Sequence, residues 1–308
     1  MPLGPADVGA VGDTGAVILD GGLSNALVAR GHDLSDELWT ARLLRDDPAE
    51  IAAVHRAYVA AGAEVVTTAS YQASVAGFER AGCSAAEAAR LVSRSVDIAR
   101  EVADTSPHPV LVAASVGPYG AVLADGSEYR GRYGRTPAQL RDFHLSRLEL
   151  LAAAGPDLLA VETVPDVDEA EVLVPLLDEI GLPAWLSYSC TDGRTRAGQP
   201  LADAFAVATG SSTLVAAGVN CCAPEDVLPA LRVAAASGLP GVAYPNSGQG
   251  WDSGTHTWSG PTSYDVQLAP GWVAAGAAYV GGCCQVGPDD IAALAAVLDP
   301  GLDPGLDR

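Results

Sequence analysis

Short runs rich in Val, Leu and Ala alternate along the chain with longer stretches whose apolar residues recur at helical spacing. Strands covered on both faces read as continuous apolar segments, and their alternation with amphipathic helices is the pattern of repeated strand–helix units around a parallel sheet. The pattern predicts strands at 17–20, 65–69, 110–116, 158–162, 184–188, 214–220, 241–244 and 279–282. Eight such units close a barrel. The expected fold is therefore a single (β/α)8 TIM barrel in one domain over residues 1–308, with frayed ends at 1–14 and 300–308.

Helix signals fall between the strands. Asp47-Pro48 opens a helix whose Ile51, Val54 and Tyr58 lie on one face, and Gly62 closes it. Further helices are expected at 85–103, 137–154, 167–180, 224–236 and 288–298. The interval 251–270 is rich in Gly, Ser and Thr and reads as a long functional loop. A doubly wound open sheet is the rival architecture, but no Gly-x-Gly-x-x-Gly follows the first strand to support a dinucleotide site.

Charge narrows the partners. Lys plus Arg number 17 against 38 Asp plus Glu, a net charge of −21, which would repel nucleic acid and anionic lipid surfaces. The first residues lack the basic start and apolar run of a secretory signal, and no stretch is apolar for long enough to span a bilayer. A cytoplasmic address is expected, where the six cysteines stay reduced.

In such barrels chemistry sits at the carboxyl ends of the strands. The residues there are Asp20-Gly21-Gly22, Thr67-Thr68 with Ser70, Ser115 with Gly117-Pro118, Glu162-Thr163, Ser187 and Ser189, Asn220-Cys221-Cys222, Asn246, and Gly282-Cys283-Cys284. Cysteines after the sixth and eighth strands can meet at the barrel mouth, where three thiolates could hold zinc and leave its fourth position open for substrate. The alternative is that they are small buried hydrophobes, the reading taken for Cys83 and Cys190. Asp20 and Glu162 end apolar strands and call for a cation, either a substrate ammonium or an arginine such as Arg130 or Arg132. His32, His55, His108, His144 and His256 show no paired metal spacing and read as surface residues, with His256 left open because it lies in the long loop.

These residues fall in segments that resemble the homocysteine S-methyltransferases, a family that includes betaine-dependent enzymes and the homocysteine-binding module of cobalamin-dependent methionine synthase. The segments are Leu19-Asp20-Gly21-Gly22, Thr67-Thr68-Ala69-Ser70-Tyr71-Gln72-Ala73-Ser74, Ala114-Ser115-Val116-Gly117-Pro118-Tyr119-Gly120 and Tyr129-Arg130-Gly131-Arg132-Tyr133-Gly134. They continue with Glu162-Thr163, Gly218-Val219-Asn220-Cys221, Tyr244-Pro245-Asn246-Ser247-Gly248 and Gly281-Gly282-Cys283-Cys284, so the resemblance covers nearly the whole chain.

The resemblance implies catalysis at a zinc ion held by Cys221, Cys283 and Cys284, with Cys222 as an extra neighbouring sulfur. It implies that Asp20 and Glu162 surround homocysteine, within a substrate site drawn from Asp20, Gly21, Gly22, Thr68, Ser70, Glu162, Thr163, Asn220 and Asn246. Ala69 stands where betaine-dependent relatives carry an aromatic residue, and the chain has no room for cobalamin or folate domains. The donor implied is a sulfonium, S-methylmethionine or S-adenosylmethionine, whose methyl passes to the homocysteine thiolate at the zinc and makes methionine. Trp251, Trp258 or Tyr71 could face the donor cation, or simply pack.

Three other readings remain at this stage. They are a non-catalytic thiol- or zinc-binding barrel, a methyltransferase for a different thiol or selenol acceptor, and a barrel enzyme of other chemistry. The last lacks a lysine at any strand end for a Schiff base.

Overall fold

The structure, a computed structural model, describes residues 15–298 apart from residue 37 and residues 253–256. The expected frayed ends and His256 lie outside the described residues, as does the Trp251 side chain.

Eight parallel strands form the barrel. They are β1 (Val17–Ile18), β2 (Val65–Thr67), β3 (Leu111–Val116), β4 (Leu158–Val164), β5 (Ala184–Tyr188), β6 (Leu214–Asn220), β7 (Gly241–Tyr244) and β8 (Ala277–Val280). From β2 to β8 each strand pairs with the next in chain order, and β8 pairs with β1. Closure between β1 and β2 is short, made by a parallel bridge from Leu19 to Val65 and by Glu64 N donating to Ile18 O at 2.8 Å. The barrel is filled by its own side chains, among them Val17, Leu19, Leu111, Leu158, Trp185, Val242 and Tyr279, with the Trp185 and Tyr279 rings 5.9 Å apart. A second, larger core lies between the sheet and the helices, which is why the strands read as continuous apolar runs.

The helices are α1 (Leu23–Ala29), α2 (Thr40–Asp46), α3 (Pro48–Ala60), α4 (Val75–Arg80), α5 (Ala85–Asp104), α6 (Pro137–Ala153), α7 (Val167–Ile180), α8 (Leu201–Ala206), α9 (Pro224–Ala234), α10 (Ala269–Ala274) and α11 (Pro288–Leu298). Their starts follow local chemistry. Thr136 and Gln139 form a reciprocal capping box on α6, the Ser84 side chain caps α5, and prolines open α3, α6 and α9. None of the described helices is long and apolar enough to cross a membrane.

Three expectations change. The eighth strand sits two residues earlier than its apolar pattern suggests, because Gly281 and Gly282 leave the sheet, with Gly282 N turning toward Asp20 O at 3.4 Å. The interval 251–270 is not all loop: Gly250–Asp252 pairs with Thr257–Ser259, and α10 begins at Ala269. His55 and His144 are buried and not on the surface. His144 Nε2 lies 2.8 Å from Glu169 Oε1, and burial holds the His55 pKa down at about 4.

Candidate active site

The site begins at the ends of β6 and β8. Cys221 follows Asn220 with φ 48°, a left-handed conformation uncommon for a side-chain-bearing residue, and that turn carries its sulfur toward the β8 loop. Cys221 Sγ lies 3.5 Å from Cys284 Sγ, Cys283 Sγ lies 3.8 Å from Cys284 Sγ, and the three sulfurs fall within 4.8 Å of one another. With zinc–sulfur bonds of about 2.3 Å, tetrahedral geometry separates ligand sulfurs by about 3.8 Å. The cluster therefore fits one face of a tetrahedral site for a soft divalent metal. Hydrogen bonds from Cys283 and Cys284 hold the Cys221 thiol well below its ordinary pKa, and the same contacts push the other two well above theirs. By themselves the three sulfurs favour one thiolate between two thiols, and a metal cation among them would let all three ionise. Cys222 takes no part: it is fully buried and its sulfur neighbour is Cys190.

Neighbouring loops hold this geometry. Cys283 N donates to Pro245 O at 2.6 Å, Ser247 N to Cys284 O at 3.0 Å, and Cys221 N to Tyr244 O at 3.1 Å. Gly21 and Gly22 make close packing possible. A Cβ on Gly21 would sit 2.5 Å from Val286 O and against the Tyr58 ring, and one on Gly22 would sit 2.7 Å from Cys283 O. On the far side, buried Arg147 donates to the carbonyls of Ser70, Tyr71 and Gly117 at 3.1, 3.0 and 2.9 Å, fixing the turns that follow β2 and β3.

The sulfurs open onto a cavity of about 110 Å³. Of the residues expected from sequence, Gly21, Gly22, Thr68, Glu162, Thr163, Cys221, Cys283 and Cys284 line it. Asp20, Ser70, Asn220 and Asn246 are not in its lining. Asp20 lies behind it, accepting from Thr67 N at 2.7 Å and from the Tyr244 hydroxyl at 2.6 Å. Ser70 donates to Ser115 O at 2.7 Å, and Asn220 braces Thr163. Asn246 lines an adjacent cavity with Tyr129, Arg196 and Trp258. Tyr71 reaches the thiol cavity, and Trp258 does not.

The cavity is acidic in its walls, and none of the described residues that line it is cationic. Glu162 accepts from the Ser115 hydroxyl, and burial raises its pKa to about 8; burial likewise raises Asp20 to about 6. Arg130 faces Asp125 and Arg132 faces Asp166, so the arginine partners considered for Asp20 and Glu162 are engaged elsewhere. Sequence reasoning passed over Glu128, a second carboxylate in this wall beside Glu162, along with Trp39 and Asn25. Its only signal was its place immediately before Tyr129 in one of the family-like segments.

Known proteins resemble this chain over nearly its whole length. The sequence model of the family described as homocysteine S-methyltransferase matches residues 17–298. Homocysteine S-methyltransferase from Escherichia coli is 44% identical over 91% of this chain and 94% of its own length. Homocysteine S-methyltransferase 4 from Zea mays is 43% identical over 92% and 90%. The crystal structure of the E. coli homocysteine methyltransferase MmuM in its metallated form superposes with a TM-score of 0.84 at 40% identity, covering 96% of this chain and 100% of that one.

Proposed function

The chain belongs to the homocysteine S-methyltransferase family, and on that premise we propose that it makes methionine by moving a methyl group from a sulfonium donor to homocysteine at a zinc site formed by Cys221, Cys283 and Cys284. The observation that carries this reading is the opening of three clustered sulfurs onto the same small cavity as the buried, uncompensated Glu162.

The ammonium and the sulfur of homocysteine each have a chemical counterpart at that site. The ammonium meets Glu162, with Asp20 adding its negative field from behind Tyr244 and Thr67. Zinc, when bound, supplies the Lewis acidity that lets a thiol with an ordinary pKa of about 8.5 react as thiolate near neutral pH. Trp39, Tyr71 and Tyr129 wall the cavity and keep water from competing with the donor. Tyr129 places its hydroxyl 3.8 Å from Cys221 Sγ, where it can donate to a negative sulfur.

In the transfer a carbon–sulfur bond forms to homocysteine as the donor's carbon–sulfur bond breaks, and its electron pair stays on the donor sulfur. A sulfonium leaves as a neutral thioether, so alignment matters more than acid catalysis. S-Methylmethionine and S-adenosylmethionine both meet that requirement. A reducing, cytoplasmic compartment suits the thiolate cluster.

The test is methionine formation from homocysteine by zinc-loaded protein, with S-methylmethionine and S-adenosylmethionine in parallel reactions. Turnover with either supports the reading and ranks the donors. No turnover with both sinks the sulfonium reaction.

A further inference from the structure

Glu128 is a buried carboxylate for which the chemistry above has no use. It stands on the short 3-10 turn Ser127–Tyr129 between β3 and α6, is 5% exposed, and lines the cavity that holds the sulfurs. Its Oε2 has no hydrogen-bond partner among the described residues. The cation acting on it from its own segment is Arg130, whose guanidinium is largely exposed and lies 3.9 Å from Asp125. A carboxylate withdrawn from water without a partner is unfavourable, and lining a cavity it can find its counter-charge on a ligand.

The two substrates bring different cations. The homocysteine ammonium is matched at the strand ends by Glu162 and Asp20. The donor brings a sulfonium, and its binding position must be next to the sulfur that receives the methyl. Glu128 belongs to a connecting loop, not a strand end, and the next residue, Tyr129, contacts Cys221 Sγ at 3.8 Å. That puts a carboxylate oxygen without a hydrogen-bond partner in the cavity wall near the Cys221 sulfur, on an element other than the strand ends that carry Glu162 and Asp20.

We propose that Glu128 is the donor-binding residue, its carboxylate pairing with the sulfonium of the methyl donor. The assignment rests on the sulfonium reading above. It also gives the charge a direction: when the methyl leaves, the donor sulfur becomes neutral, the attraction to Glu128 ends, and the thioether product is held less tightly than the donor was. Such an interaction is made in the ground state, so its loss appears in the donor KM more than in kcat.

The experiment compares zinc-loaded wild type with Glu128→Gln, varying S-methylmethionine and homocysteine separately. A lost charge-assisted contact should raise the donor KM about 10- to 100-fold, while the homocysteine KM moves less than about twofold. Calorimetry on the homocysteine-free protein should show weaker S-methylmethionine binding and unaltered methionine binding, because only the former is a sulfonium. Glu128→Asp, which keeps the charge, should fall between wild type and Glu128→Gln. Thermal unfolding provides a control, since removing an uncompensated buried charge should leave the protein at least as stable.

An unchanged donor KM, a rise confined to the homocysteine KM, or equal weakening of S-methylmethionine and methionine overturns the assignment. If wild type turns over with a sulfonium donor and Glu128→Gln keeps its donor KM, only the role of Glu128 fails. If wild type uses no sulfonium donor, the functional reading itself fails, and S-methylmethionine binding to the two proteins still decides whether Glu128 reads the cation.

Discussion

Asn220 holds Thr163 at two points, its Oδ1 accepting from Thr163 N at 2.6 Å and its Nδ2 donating to Thr163 Oγ1 at 2.7 Å. Thr163 needs the support: its φ is 60°, a conformation that β-branched residues rarely adopt. Ser187 donates to the same Asn220 oxygen at 2.8 Å, so one amide joins the ends of β4, β5 and β6 immediately before Cys221. Asn220→Ala should lower the unfolding free energy by about 2–4 kcal/mol, through unsatisfied buried groups at an already strained turn. Urea denaturation of metal-free protein measures it, and an unchanged midpoint would mean that Thr163 keeps its conformation unaided.

The sulfur cluster takes in Cys283 and leaves out Cys222. Cys283→Ala should lose bound zinc and turnover together, because two thiolates and water hold the metal far less tightly. Cys222→Ala should retain both, since that sulfur faces Cys190 and stands outside the cluster. Metal content by elemental analysis distinguishes the two, and full zinc with full activity in Cys283→Ala would defeat the ligand assignment.

The buried carboxylates give metal-free protein a pH-dependent stability of defined sign. Burial raises Glu162 from 4.5 to about 8 and Asp20 from 3.8 to about 6, so the folded state holds protons that the unfolded state has released. Stability from these groups is present at low pH and is lost as pH rises from about 4 through about 8, at about 1.4 kcal/mol for each pH unit separating the folded and unfolded pKa values. Glu162→Gln should flatten the upper part of this slope in urea titrations and, by removing the partner proposed for the ammonium, raise the homocysteine KM about tenfold or more. A slope unaltered in Glu162→Gln would show that this carboxyl is not the group responsible.

Gly21 tests how tightly the site is packed against the barrel. A methyl group there meets the Tyr58 ring and Val286 O, whose chain segment carries the Cys283–Cys284 turn. Gly21→Ala should destabilise by about 1–3 kcal/mol through overpacking and should reduce metal affinity as that turn shifts. Wild-type values for both the thermal midpoint and zinc affinity would show that the turn moves aside freely.

The sequence alone determined the eight-unit barrel, most strand positions and the residues at the carboxyl ends of the strands, because strand burial and helix amphipathicity repeat locally along the chain. β5, β6 and β7 lie where the apolar runs placed them, and the resemblance singled out Cys221, Cys283 and Cys284, which the fold brings together. Tertiary structure alone decided which strand-end side chains reach the cavity. Asp20 and Asn220 turn into the scaffold while Glu162 lines the site, and Cys221, not Cys222, joins the cluster through a left-handed turn. It also buried His55 and His144, which local pattern left on the surface, and carried Glu128 from a loop into the wall of the site. Side-chain direction at a strand end depends on loops arriving from distant parts of the chain, and a local periodicity carries no record of them.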